Sequence, residues 1–196
     1  MLLVGNVSAS QESQALVTKG NSLDDSKQYD DAISNYNKAI SLDPQDSDAW
    51  FYKGSALIQE FQIKEANTAI DHALLLDPNN SVYNIQKGLV LMLQGNYKEA
   101  EGYADKALVL DPNNSNGWST KGIIDKAKGD KAAAIFDYNK AIKLDPDDML
   151  SLQALYKLEH PWQNDWTAAL FWFKYLNYLD PKLVKFCMKT STSAKR

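Results

Sequence analysis

Apolar residues recur along this chain at helical rather than strand spacing. From Gln11 onward, Ala15, Leu16 and Leu23 share one side of a helix. A polar turn at Asp24 to Gln28 follows, and a second set at Ala32, Ile33, Tyr36 and Ile40 resumes the period. The same plan then repeats. First helices are predicted over 47–60, 81–94 and 115–128, and second helices over 29–41, 63–75, 97–109 and 131–143. Each block is therefore a helical hairpin.

Punctuation between the hairpins is regular. Leu42-Asp43-Pro44, Leu76-Asp77-Pro78, Leu110-Asp111-Pro112 and Leu144-Asp145-Pro146 are spaced by 34 residues, and Leu179-Asp180-Pro181 follows after 35. Proline cannot continue the preceding helix, and Ser47, Ser81 and Ser115 are expected as N-caps of the next one. Within the blocks, Gly95 and Gly129 end first helices where a left-handed residue is needed. Lys19-Gly20, Lys53-Gly54, Lys87-Gly88 and Lys121-Gly122 keep the same period in mid-helix. A glycine there costs about 1 kcal/mol relative to alanine, so its recurrence points to a close approach of the partner helix. Alanines at 32, 66, 100 and 134, and at 39, 73, 107 and 141, mark the same seams on the second helices.

Taken together these positions resemble the tetratricopeptide repeat, whose 34-residue pattern is W-x2-L-G-x2-Y followed by Ala, an aromatic, Ala and Pro. The tryptophan position holds Leu16, Trp50, Asn84 and Trp118, and glycine fills its position in all four repeats. The tyrosine position holds Leu23, Leu57, Leu91 and Asp125; the later aromatic position holds Tyr36, Ile70, Ala104 and Tyr138. Asp125 puts a carboxylate where packing is usual, and Ala104 leaves a small gap unless the apolar first helix of that repeat fills it. The resemblance implies an all-α solenoid of antiparallel hairpins, with repeats at 13–46, 47–80, 81–114 and 115–148 inside a single domain over 11–189. A divergent fifth block at 149–182 has Tyr156 at the glycine position and a second helix over 165–179 carrying Trp166, Phe171, Trp172, Phe173, Tyr175 and Tyr178. Residues 181–189 are expected to form a capping helix, 1–10 a flexible leader, and 190–196 a disordered basic tail.

Charge divides the chain unevenly. Its formal net charge is −4, yet the five cations after Asp180 leave −9 on residues 1–181. An acidic body with a single arginine, Arg196, disfavours a nucleic-acid ligand, which needs clustered cations. One cysteine, Cys187, excludes an intrachain disulfide. No apolar run reaches the roughly 18 residues of a membrane span. The expected compartment is the cytoplasm; the alternative is export after removal of a leader, in which case Asn6, Asn79 and Asn113 head glycan acceptor motifs.

Catalytic chemistry has little support. His72 and His160 lack partners at ligand or triad spacing, the Lys-Gly pairs sit inside helices rather than in phosphate-binding loops, and no cofactor or metal site is expected. The family resemblance implies instead a concave groove lined by first helices, read at i, i+3, i+7 and i+10. That stripe is polar at its ends and apolar at its centre. The expected peptide-binding residues are Asn21, Phe51, Tyr52, Ser55, Ile58, Gln59, Ile85, Gln86, Leu89, Met92 and Ile123. The two-carboxylate clamp of relatives that grip acidic chaperone tails is disfavoured, because only Asn21 matches while Val17, Tyr52, Val82 and Gln86 hold the other places. The leading expectation is a non-catalytic adaptor that takes an apolar segment of a partner protein. Two alternatives stay open: a self-associating assembly unit built on the aromatic fifth repeat, and a recruitment fragment of a larger enzyme.

Overall fold

Every Leu-Asp-Pro within the described residues stops a helix. In a computed structural model that describes residues 2–159, the described residues form nine helices and no strand. These are α1 (Leu2–Asp25), α2 (Tyr29–Leu42), α3 (Ser47–Gln59), α4 (Ile63–Leu76), α5 (Ser81–Leu93), α6 (Tyr97–Leu110), α7 (Ser115–Lys128), α8 (Lys131–Leu144) and α9 (Met149–Glu159). Asp43, Asp77, Asp111 and Asp145 leave helical geometry at the C-caps of the second helices, each donating its N–H back to the alanine carbonyl four residues earlier. The proline that follows prevents resumption.

Two local expectations are corrected. The N-caps lie one residue before the predicted serines, at Asp46, Asn80 and Asn114, whose side-chain oxygens accept from N–H groups two or three residues on. Asp148 does the same for α9. An Asp or Asn side chain on extended backbone is well placed to reach those donors, so Ser47, Ser81 and Ser115 become the first helical residues. In place of the flexible leader expected at 1–10, helix α1 already begins at Leu2. No proline interrupts that stretch, and extending an existing helix adds one hydrogen bond per residue without a new nucleus. The expected second helix at 165–179, the capping helix at 181–189, the tail at 190–196, His160 and Cys187 lie outside the described residues.

Within each hairpin the mid-helix glycine is the point of closest approach. A Cβ on Gly54 would lie 2.6 Å from Ile70 Cδ1, one on Gly122 2.8 Å from Tyr138 Cε1, and one on Gly20 would collide with the Tyr36 ring. Gly88 faces backbone, with Ala100 O 3.2 Å from such an atom. Ala104 stands there in place of an aromatic, and the space is closed from the next repeat by fully buried Ile124. The lysine preceding the glycine also has a task. Lys87 donates to Asp71 Oδ1 at 2.5 Å and to Asn67 at 2.8 Å, and Lys121 pairs with Asp105, so each of these two first helices is tied to the second helix of the preceding repeat.

The turns inside the hairpins place residues 27, 61, 95 and 129 in left-handed conformation. Glycine serves at the last two, but Phe61 occupies its position at φ 57 and is 88% exposed. The fourth repeat carries a second unusual feature. Asp125, at the family's tyrosine position, and Asp137 are 3% and 2% exposed and face each other between α7 and α8. Lys128 donates to Asp125 and to Glu101, whereas Asp137 Oδ2 has no hydrogen-bond partner. Burial and then the neighbouring Asp125 carboxyl push Asp137 up to about 7, against a smaller opposing pull from Lys121.

This packing can be tested at four positions. Gly122→Ala is expected to destabilise by about 1–3 kcal/mol through overpacking, while Gly102→Ala, whose Cβ would meet nothing within 4 Å, should stabilise by about 1 kcal/mol; urea titrations of both variants check the pair. Phe61→Gly should raise stability by about 0.5–1 kcal/mol in the same titration, since a left-handed non-glycine residue is strained. The folded chain keeps a proton on Asp137 that the unfolded chain sheds near 3.8, so stability declines as pH rises from about 4 to about 7. Asp137→Asn should flatten that decline and be about 1–2 kcal/mol more stable than the parent at pH 8, as read by denaturation at pH 5 and pH 8.

Candidate peptide-binding groove

Curvature creates the candidate site. Successive first helices pack on one another, α1 on α3, α3 on α5, α5 on α7 and α7 on α9, and packing of that extent does not join successive second helices. The stack therefore bends with its first helices on the inner side. Three of these, α3, α5 and α7, carry most of the expected binding residues.

Asn21, Phe51, Tyr52, Ser55, Ile58, Gln86, Leu89, Met92 and Ile123 are all half-buried, and Gln59 is exposed. Phe51 and Ile58 rest against the core of the second repeat, Met92 against that of the third and Ile123 against that of the fourth. Each thus anchors one side in its own hairpin and presents the other. Ile85 differs. It is only 6% exposed, with Cδ1 3.6 Å from the position of a Cβ on Gly117, and it fills the seam between α5 and α7. Val17 and Ser119, at the equivalent phase, are buried too, and Ser119 shares a 2.9 Å hydroxyl bond with Ser151 of α9. This phase packs helix on helix in three repeats of four. The open part of the inner face shifts to the next two positions of the stripe, Ser55 with Ile58 and Leu89 with Met92.

A line of aromatic rings links the first three repeats beneath this face. Tyr36 stacks on Tyr52 at 6.0 Å, Tyr52 meets Phe51 edge-on at 5.3 Å, and Phe51 stacks on Tyr83 at 4.9 Å. Tyr83 is absent from the expected site residues. Its hydroxyl donates to Asp48 Oδ1 at 2.5 Å, locking α5 to the start of α3. A signal for it exists in the sequence, because the same position holds Ala15, Ala49 and Gly117 in the other repeats. One large residue in a column of small ones marks an inserted side chain.

Polar groups bracket the apolar centre. Gln86 Nε2 donates to Ser55 Oγ at 3.4 Å across the α3–α5 seam, and Asn21 accepts from the Tyr36 hydroxyl at 2.8 Å. Asp24 sits at the first-repeat end with one buried carboxylate oxygen lacking a partner, and its pKa is raised by burial and then by Asp25. Exposed Asp48 adds a second carboxylate, and exposed Lys126 marks the fourth-repeat end. Among the described residues no three His, Cys, Asp or Glu side chains are grouped to hold a metal ion, and no helix is long and apolar enough to cross a membrane.

Sequence comparison matches residues 20–60 to the TPR repeat, and residues 82–114 and 116–148 to the tetratricopeptide repeat. Comparison with curated protein sequences finds no match. Among solved structures the fold is similar to PilW, described as a widely conserved type IV pilus biogenesis factor, at a TM-score of 0.71 and 20% identity over 76% of this chain and 69% of that one. It is similar to pilF of Pseudomonas aeruginosa at a TM-score of 0.70 and 20% identity over 83% of this chain and 73% of that one. MamA from Desulfovibrio magneticus RS-1 follows at 0.64 and 20% identity, covering 86% of this chain and 94% of that one. At such identities the likeness is one of fold. With the glycine approach and hairpin stacking seen in each of the four regular repeats, the sequence matches make this chain a member of the tetratricopeptide repeat family.

Proposed function

We propose that the chain is a non-catalytic adaptor whose inner face binds an apolar segment of a partner protein. A role in protein–protein interaction is the general one for this fold. The finer reading rests on one observation: Phe51, Ile58, Leu89 and Met92 stay partly exposed on the inner face of α3 and α5, leaving apolar surface that a partner segment would bury. Tyr52, Ser55, Gln59 and Gln86 supply hydrogen-bonding groups around them. An acidic chaperone tail fits poorly, since Asn21 is engaged by Tyr36 and Lys126 is the sole cation of the inner stripe.

Affinity capture with peptide identification tests this directly. Leu89→Lys with Met92→Lys should lower recovery of the captured partner at least about tenfold, with far-UV helicity retained because both side chains are partly solvated. Ile85→Lys, in contrast, should unfold the third and fourth repeats. Unchanged recovery with the double variant sinks the groove reading.

A further inference from the structure

We infer that in the free protein the groove is occupied by the chain's own C-terminal segment, Lys182 to Lys189, which an incoming partner segment has to displace. This deepens the groove reading and rests on it. The motive is complementarity between two parts of one chain. Residues 182–189 read Lys-Leu-Val-Lys-Phe-Cys-Met-Lys: three cations, no acid, and four large apolar side chains in Leu183, Val184, Phe186 and Met188. The inner face offers the matching elements in Phe51, Ile58, Leu89 and Met92, bordered by Asp24 and Asp48. Asp24, with an unpartnered carboxylate oxygen, is partly desolvated and gains most from an arriving ammonium group. The first 159 residues carry 23 acidic side chains against 15 lysines, which draws a segment of opposite charge.

Reach does not limit the contact. With the expected helix over 165–179 rising about 1.5 Å per residue and the other seven residues extended, the 22 residues between Glu159 and Lys182 still reach about 45 Å. Three steps of about 10 Å separate α9 from α3 along the row of first helices. A tethered segment also needs little intrinsic affinity, because attachment within the same chain holds it at an effective concentration of order millimolar.

Cys187 is the sole cysteine of the chain and lies inside the segment, which makes the test possible on the full-length protein. A nitroxide attached there should broaden the backbone amide signals of Phe51, Ser55, Leu89 and Met92, independently of protein concentration over a tenfold range. Raising sodium chloride to about 0.5 M should weaken the effect through screening. Replacing Lys182, Lys185 and Lys189 together by Glu should abolish it without touching the groove. Broadening confined to α8 and α9 would show the segment covering the fifth repeat and overturns the inference, as does broadening that survives the three glutamates or that arises only between chains. Failure here leaves the groove reading intact as long as Leu89→Lys with Met92→Lys still lowers partner recovery. Unchanged recovery together with clear broadening at Leu89 would refute partner binding in the groove while upholding the contact within the chain.

Discussion

The structure depends on how closely two antiparallel helices can approach at one glycine per repeat. At Gly20, Gly54, Gly88 and Gly122 the partner helix delivers a ring, a branched side chain or bare backbone into the space a Cβ would fill. Because the period is 34 residues, each hairpin closes at the same position, and similar units stack one on the next. Alanines with no exposed surface on α2, α4, α6 and α8 complete the seam. Stability then accrues between neighbours rather than around one centre, and the core is a continuous strip through the stack.

A strip of this kind tolerates departures when an adjacent repeat supplies the missing part. Trp50 and Trp118 each donate an indole N–H to the carbonyl of the preceding proline, Pro44 and Pro112. Asn84 stands at the tryptophan position of the third repeat, and its amide donates to Pro78 O at 3.2 Å, keeping the bond while giving up the ring. Ala104 is compensated by Ile124 from the following hairpin. Asp125 is compensated differently. A second carboxyl, Asp137, faces it, with lysines at the margins, and burial together with the facing carboxyl raises Asp137 so that it keeps its proton up to about pH 7. The result is a repeat whose packing is linked to pH through a pair of acids that the other repeats lack at these two positions.

Curvature, rather than any one residue, produces the inner face. First helices touch along the stack more extensively than second helices do, which puts them on the inner side. The phase that meets the next first helix is consumed by packing, as in Val17, Ile85 and Ser119. The phase one helical turn later stays partly open, and there Leu89 and Met92 remain available. Tyr83 narrows the face further by bridging α5 to Asp48 and stacking on Phe51.

Fold class and helix ends were legible in the chain because they rest on local chemistry: proline forbids continuation, glycine permits left-handed turns and close approach, and apolar period marks the buried side. Helix ends predicted from those marks lie within one residue of those observed for α2 to α8. The caps at Asp46, Asn80 and Asn114 were visible as residue types but misassigned by one place, since Ser and Asn share the same preference and only backbone geometry separates them. What periodicity could not decide was which inward residues are free. A helical stripe is about 100° wide, whereas the seam between successive first helices occupies only part of it. The packing of successive first helices, set by the whole stack, buries Ile85 and leaves Leu89 partly open, and the closing of α8 on α7 within the fourth hairpin brings Asp125 against Asp137.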